Sequence, residues 1–297
     1  MKAKVILNPY ANRWGAQEKT DAVKAALDAV GLDYDLVATK GPGDGTAVTA
    51  QAITDGYDII IAAGGDGTIN EVINGLLPAA KDGPSLPFGI LPIGTANDFN
   101  LMAGLPADIE TSVAVIAAGH TRLIDAGLTN GRYFINNSAA AMEPMVTLET
   151  HKIQRLSGEI RYVVGLIKAI IKIKAWDMQL SWDDGNYTGP CILLSVCNSP
   201  RTGGFTMAPG AKIDDGRFDF VFAPEVPKLT LVRLLIKLMQ GKHVEDPLVT
   251  FQRATYLTVN CRPGTPVHTD GEVFSTSETS LDFRILPGKV RLLSPQR

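Results

Sequence analysis

The 297-residue sequence predicts an α/β fold followed by an all-β one: an N-terminal doubly wound, three-layer parallel sheet, then an antiparallel, β-sandwich-like domain. Three observations lead there. Through residue 125, short β-branched runs alternate with longer helical patterns. One run, Ile59-Ile60-Ile61-Ala62-Ala63, is apolar throughout, as suits a parallel strand covered on both faces. Beyond Leu123 the rhythm changes to many strands separated by turn signals such as Asp183-Asp184-Gly185-Asn186, Asp214-Asp215-Gly216 and Pro263-Gly264.

In order, residues 4–7 read as the first strand, and 17–30 as a helix with Val23, Leu27 and Val30 on one face. A strand at 34–39, a helix at 44–53, a strand at 57–63, a helix at 69–77, a strand at 88–91 and a helix at 111–119 complete the first half. The second half reads as strands at 123–125, 133–137, 178–182, 191–196, 218–223, 256–261, 281–286 and 290–293, with helices at 159–176 and 229–240. The divisions expected are 1–125, 126–286 and a C-terminal segment 287–297 that returns to the first domain.

Hydrophobic residues make up 45% and charged residues 20%, enough apolar material for full cores, which excludes disorder as the main state. Lys and Arg number 28 against 31 Asp and Glu, so a nucleic-acid partner is not expected. Cys191, Cys197 and Cys261 are too few and scattered for a disulfide or zinc framework and suit a reducing, cytoplasmic setting. The opening run Val5-Ile6-Leu7, followed by Pro9, reads as a strand rather than a leader. No uninterrupted apolar window reaches transmembrane length, about 18 residues.

The third strand runs into Gly64-Gly65-Asp66-Gly67-Thr68 and then a helix. Ligands of open α/β sheets sit beyond the carboxyl ends of strands, where glycines let main-chain N–H groups and a helix N-terminus meet phosphate. Asp66 beside phosphates implies an intervening divalent cation; alternatively Asp66 or Thr68 is the N-cap of a tight turn. Gly43-Asp44-Gly45-Thr46 repeats the letters without a buried strand before it and reads as a loop capping a helix. A Walker lysine pattern is absent. Residues 88–99 repeat the logic: a strand ends, Gly94 permits close approach, and Thr95, Asn97 and Asp98 offer hydrogen bonds. Asn8 and Thr39 end the first two strands and line the same crevice in this reading.

These residues carry a family resemblance. The segments 64–72 (GGDGTINEV) and 91–99 (LPIGTANDF) resemble the catalytic domain of diacylglycerol kinases and their bacterial YegS-like and sphingosine-kinase-like relatives. Downstream, 201–205, 208–216 and Asp270-Gly271-Glu272 are similar to further family blocks, so the likeness covers nearly the whole chain. The resemblance implies a lipid kinase that transfers the γ-phosphate of ATP to diacylglycerol or a related lipid alcohol. Gly64, Gly65, Asp66, Gly67, Thr68, Ile69, Asn70, Glu71 and Thr95 would contact ATP, with Thr39 on the adenosine side. Asp66 would hold Mg²⁺, Asp125 would join its water network, and a structural Mg²⁺ would take the Asp215 side chain and the carbonyls of Lys212 and Arg217. Without the resemblance, 214–216 is a hairpin turn. Asp270 and Glu272 supply the proton acceptor, with Glu272 favoured; read alone, they are a turn with solvated acids.

Two departures from the family pattern stand out. Asn12-Arg13 follows the first strand, with Arg13 a candidate phosphate contact, and Ser138-Ala139-Ala140-Ala141 stands where relatives carry a glycine, a change that bears on loop shape and acceptor choice. Residues 152–174 hold Lys152, Arg155, Arg161, Lys168, Lys172 and Lys174 against Glu159 alone. With Ile160, Val163, Val164, Ile167 and Ile171 they make a basic amphipathic helix suited to an anionic membrane surface, and Arg233 and Lys237 add to it; an ordinary surface helix is the other reading. His268 lies near the acidic pair by position in the chain alone. A homodimer is the assembly allowed for. The rival functions are an NAD kinase-like enzyme with a soluble acceptor and a non-catalytic nucleotide or lipid sensor.

Overall fold

A computed structural model describes residues 2–11, 16–153 and 158–296. Asn12, Arg13 and Arg155 lie outside the described residues, as do the side chains of Glu159, Ile160, Arg161 and Val163.

The N-terminal half runs β1 (Lys2–Leu7), α1 (Ala16–Ala29), β2 (Asp33–Ala38), α2 (Asp44–Thr54), β3 (Ile59–Gly64), α3 (Asp66–Leu76), β4 (Pro87–Pro92), α4 (Asp98–Met102) and α5 (Ile109–Ala118). Its strands pair in parallel in the order β2-β1-β3-β4, with Lys2 opposite Asp33, Ala3 opposite Ile59 and Ile60 opposite Phe88. The two-residue period of a strand sends neighbours to opposite faces. Val5, Leu7, Ile59 and Ile61 therefore meet Val23 and Leu27 of α1 and Val113 and Ile116 of α5, while Ile6, Ile60 and Ala62 meet α2 and α3. The expected continuous apolar third strand is buried along its whole length.

The second half runs β5 (Thr121–Thr129), β6 (Arg132–Phe134), β7 (Asn137–Ala141), α6 (Met142–His151), α7 (Gly158–Lys172), β8 (Trp176–Trp182), β9 (Gly185–Cys197), β10 (Arg201–Thr202), β11 (Phe205–Thr206), β12 (Phe218–Pro224), α8 (Lys228–Met239), β13 (Thr250–Ala254), β14 (Tyr256–Thr269) and β15 (Glu272–Leu293). Its pairings are antiparallel apart from the end of β15, which lies parallel to β4, with Leu292 opposite Phe88. The strands expected at 281–286 and 290–293 are parts of β15, whose pairing with β5 shifts register between Leu286 and Val290. Strict alternation along β8 buries Trp176, Met178, Leu180 and Trp182. These pack on Phe218, Phe220 and Phe222 of β12, with the Trp182 and Phe220 rings edge to face at 5.3 Å.

Two helices lie outside the helical ranges expected above, although the 88–99 stretch also reads as a capping sequence before a helix. Short α4 begins where Asp66 receives two main-chain N–H groups, a long-range cap that local sequence does not announce. Helix α6 carries Pro144 in its first turn, a position proline tolerates. It is entered through Ala141, held at φ +69°. That is a left-handed value glycine adopts freely and alanine does not. Ala141 thus keeps the turn and carries strain. The helix expected at 159–176 stops at Lys172, and Trp176 starts β8.

Candidate active site

The carboxyl ends of β3 and β4 carry two loops that touch. The carbonyl of Gly64 accepts the N–H groups of Ile93 (3.2 Å) and Gly94 (3.1 Å). A Cβ on Gly94 would stand 2.3 Å from the Gly65 Cα, so the approach requires glycine. Gly65 is the N-cap of α3 and no side chain caps that helix. Neither Asp66 nor Thr68 takes that role. Thr68 instead accepts the Asn8 side-chain N–H at 3.1 Å, while Asp66 reaches across to α4, accepting from Asp98 N (3.1 Å) and Phe99 N (3.0 Å).

Beside these loops lies a polar cleft of about 450 Å³ lined by Asn8, Tyr10, Thr39, Lys40, Gly41, Pro42, Gly67, Thr68, Glu71 and Glu272. The first N–H groups of a helix have no intrahelical acceptor, and Gly67 and Thr68, which carry two of them, face this cleft. Glu71 accepts Gly43 N and Gly45 N, both at 2.8 Å, so the 43–46 loop that starts α2 is tied to the cleft wall by its side chain. Glu272 sits over α3: a Cβ on Gly67 would lie 3.4 Å from its Oε1.

Other expected contacts fall elsewhere. Ile69 is buried in the core, so only its main chain is available to a ligand. The Asn70 side chain donates to Asp270 Oδ2 (2.9 Å) and the Tyr133 carbonyl. Thr95 lies exposed in the second loop and lines neither this cleft nor the pocket described next. Asp125 is likewise away from both; its carboxylate takes Gly216 N (2.7 Å) and Gly288 N (2.8 Å), and burial raises its pKa.

A second, largely apolar pocket of about 220 Å³ lies between α6, α7, α8 and the β10–β11 hairpin. Its walls include Met142, Val146, Leu166, Leu235, Leu238 and Met239; Asp66, Asp98, Asn136, Glu143, His268, Asp270 and Gly271 are its polar lining. Asp98, whose carboxylate pairs with Arg201 Nε (2.7 Å) and Gly204 N (2.8 Å), holds the hairpin to the β4 loop. Asp270 is enclosed by donors: Asn136 N (2.8 Å) and Asn137 N (3.0 Å) on Oδ1, Asn70 Nδ2 (2.9 Å) and Ile135 N (3.1 Å) on Oδ2. Burial pushes its carboxyl up to about 6 against these donors, which favour the ionised form. With every oxygen engaged, Asp270 anchors the turn in which Gly271 has φ +88° and presents Glu272.

Sequence reasoning did not find the pocket or Glu143. Its lining comes from segments spread between residues 66 and 271. The one local signal was an acid directly after the apolar run 139–142. The basic surface is also less free than expected. Lys152 and Lys172 pair with Glu149, and Arg233 and Lys237 with Asp246.

Mg²⁺ prefers oxygen ligands. Near Asp66 the donor set fits: Oδ2, which takes only Asp98 N, keeps a lone pair, while Oδ1 is filled by Phe99 N and Asn136 Nδ2, and Asn97 Oδ1, a Gly94 neighbour, is buried with no partner among the described residues. At the second expected site Asp215 receives Arg217 N (3.1 Å) on Oδ1 and the Arg253 guanidinium on Oδ2, so each oxygen keeps one lone pair for a cation. Among the described residues no group of three or more His, Cys, Asp or Glu is arranged to hold a metal.

Comparison with known proteins agrees with this architecture. Residues 2–129 match the diacylglycerol kinase catalytic domain and residues 138–294 the YegS C-terminal NAD kinase beta sandwich-like domain. A diacylglycerol kinase of Staphylococcus saprophyticus is 33% identical over 91% of this chain and 88% of that protein, and one of Staphylococcus haemolyticus 32% over 91% and 82%. The crystal structure of a diacylglycerol kinase from Bacillus anthracis str. Sterne has the same fold: TM-score 0.75 at 23% identity, covering 99% of this chain and 97% of that one. A two-domain kinase fold is thereby defined. The chain belongs to the diacylglycerol kinase family.

Proposed function

We propose that this chain is an ATP-dependent lipid kinase that phosphorylates the hydroxyl of a lipid alcohol of the diacylglycerol class. One observation carries the reading. Two turns each give one residue to the polar cleft and its neighbour to the apolar pocket: Gly67 and Glu272 line the cleft, Asp66 and Gly271 the pocket. A phosphate-binding helix end and an apolar chamber thus share a boundary where a carboxylate stands.

In this mechanism the triphosphate lies on the first turn of α3, near Gly67 and Thr68, with Asn8 and Thr39 flanking it. The lipid chain fills the apolar pocket and its hydroxyl emerges toward Glu272. That oxygen attacks the γ-phosphorus in line, the bond to the β–γ bridging oxygen breaks, ADP leaves, and Glu272 takes the hydroxyl proton. Asp66 and Asn97 would hold Mg²⁺, which when bound neutralises charge on the phosphate oxygens.

Exposed apolar side chains support action at a membrane surface. Ile167 and Ile171 of α7 and Leu229, Val232, Ile236 and Met239 of α8 are exposed, on the two helices that wall the pocket. No helix among the described residues is long and apolar enough to cross a membrane. The test is incubation of purified protein with labelled ATP, Mg²⁺ and a panel of lipid alcohols, with NAD as control. Label in lipid is the expected result; label in NAD alone overturns the reading.

A further inference from the structure

The turn that presents Glu272 is held from two sides. Asp270 and Gly271 both have positive φ, +47° and +88°, the conformation of a two-residue hairpin loop between the paired Thr269 and Glu272. On one side the Asp270 carboxylate takes Asn70 Nδ2 and the N–H groups of Ile135, Asn136 and Asn137, and Asp270 N donates to the Asn137 carbonyl at 2.7 Å. On the other side the Gly271 N–H donates to Nδ1 of His268 at 3.2 Å. Glu272 itself is exposed, so the backbone that carries it sets where its carboxylate stands.

His268 is buried near the end of β14, paired with Ala139 of β7 and Val273 of β15. An imidazole that accepts at Nδ1 is neutral and carries its proton on Nε2. Nε2 lies 3.5 Å from Glu143 Oε2, and a carboxylate there favours the proton on that nitrogen. The same oxygen accepts Asn137 Nδ2 (3.0 Å), while the Asn137 N–H and carbonyl both bind Asp270. The contacts close a ring that runs from Asn137 through Glu143, His268, Gly271 and Asp270 and back. With Nδ1 on Gly271 and Nε2 toward Glu143, neither nitrogen is left for an acceptor hydroxyl, so His268 acts through the turn.

We infer that His268 is a positioning residue for the proton acceptor: as the Nε2–H tautomer, set by Glu143, it holds the Gly271 peptide and with it the direction in which Glu272 leaves the turn. This rests on the lipid-kinase reading above, in which Glu272 takes the hydroxyl proton. A reacting group displaced by about 1 Å costs on the order of 10²-fold in rate, so a turn held on one side only loses kcat rather than binding.

The experiment compares His268→Gln with His268→Asn. An asparagine amide oxygen falls where Nδ1 stands and still accepts the Gly271 N–H; a glutamine amide reaches where Nε2 stands and serves Glu143 only. The full chain is assayed with ATP, Mg²⁺ and whichever lipid alcohol of the panel above is labelled fastest, and each variant is checked by Tm and by calorimetry of nucleotide binding. His268→Gln lowers kcat by about tenfold or more, with KM for ATP and for lipid within about twofold, and His268→Asn recovers about fivefold or more of that loss. Lost packing ranks the two the other way, because asparagine leaves the larger cavity. Nitrogen-15 spectra of the wild type at neutral pH, with His268 assigned by its absence in His268→Asn, show a neutral ring protonated on Nε2. Equal kcat in the two variants, a loss confined to KM, or a ring protonated on Nδ1 overturns the inference and leaves the lipid-kinase reading standing. A wild type that labels no lipid of the panel overturns both.

Discussion

The cleft and the pocket are neighbours built by opposite means. The cleft lies at strand ends beside two loops whose close approach depends on Gly94, with Gly67 in its wall, and in the proposed function its anion affinity comes from N–H groups every helix possesses. The pocket is made of side chains from three helices and a hairpin, most of them apolar. Backbone recognition of phosphate needs no particular side chain and can serve many acceptors.

That contrast can be broken at its boundary first. Glu272→Gln lowers kcat by about 10²–10⁴ while nucleotide affinity, measured by calorimetry, is retained; undiminished kcat would remove the base from this turn. On the cleft side, Gly94→Ala forces its new Cβ against Gly65 and weakens nucleotide binding by well over tenfold, with about 1–3 kcal/mol lost in denaturant unfolding.

Asp270 gives a pH signature between the two. Its folded pKa, about 6, lies above the ordinary carboxylate value, so the folded state binds the proton more tightly. Its contribution to stability is complete below about pH 4 and is lost as pH rises through about 6, on the order of 3 kcal/mol. Denaturation of wild type and Asp270→Asn across that window reads it as a narrowing gap with rising pH.

On the pocket side, Thr147→Phe places an aromatic ring in the apolar chamber. It raises KM for the lipid acceptor about tenfold and leaves KM for ATP within about twofold; parallel rises in both would mean that the two cavities are not separate. The smallest effect is Ala141→Gly, which releases the left-handed alanine and stabilises by about 1 kcal/mol in urea unfolding.

Much of the cleft was legible because its signals are local. A buried β-branched strand, a glycine loop and a helix follow one another in the sequence 59–76, and the same order recurs at 88–102. Asn8, Thr39, Gly67, Thr68, Glu71 and Glu272 do meet in one cleft. Asn70 could not be placed that way, since the partner of its side chain, Asp270, is 200 residues distant. The basic surface expected there is less free because Glu149 pairs with Lys152 and with Lys172 of α7, and Asp246 with Arg233 and Lys237 of α8, and both acids belong to other elements.

Composition and periodicity by themselves determined the two-part architecture, because strand and helix repeats are properties of adjacent residues. They also marked the two glycine loops, because a main chain that must approach closely has to be glycine in any context. Only the tertiary structure decided which carboxylate is saturated by donors and which is open. Hydrogen-bond satisfaction is a sum over groups brought together from across the chain, and no local pattern contains that sum.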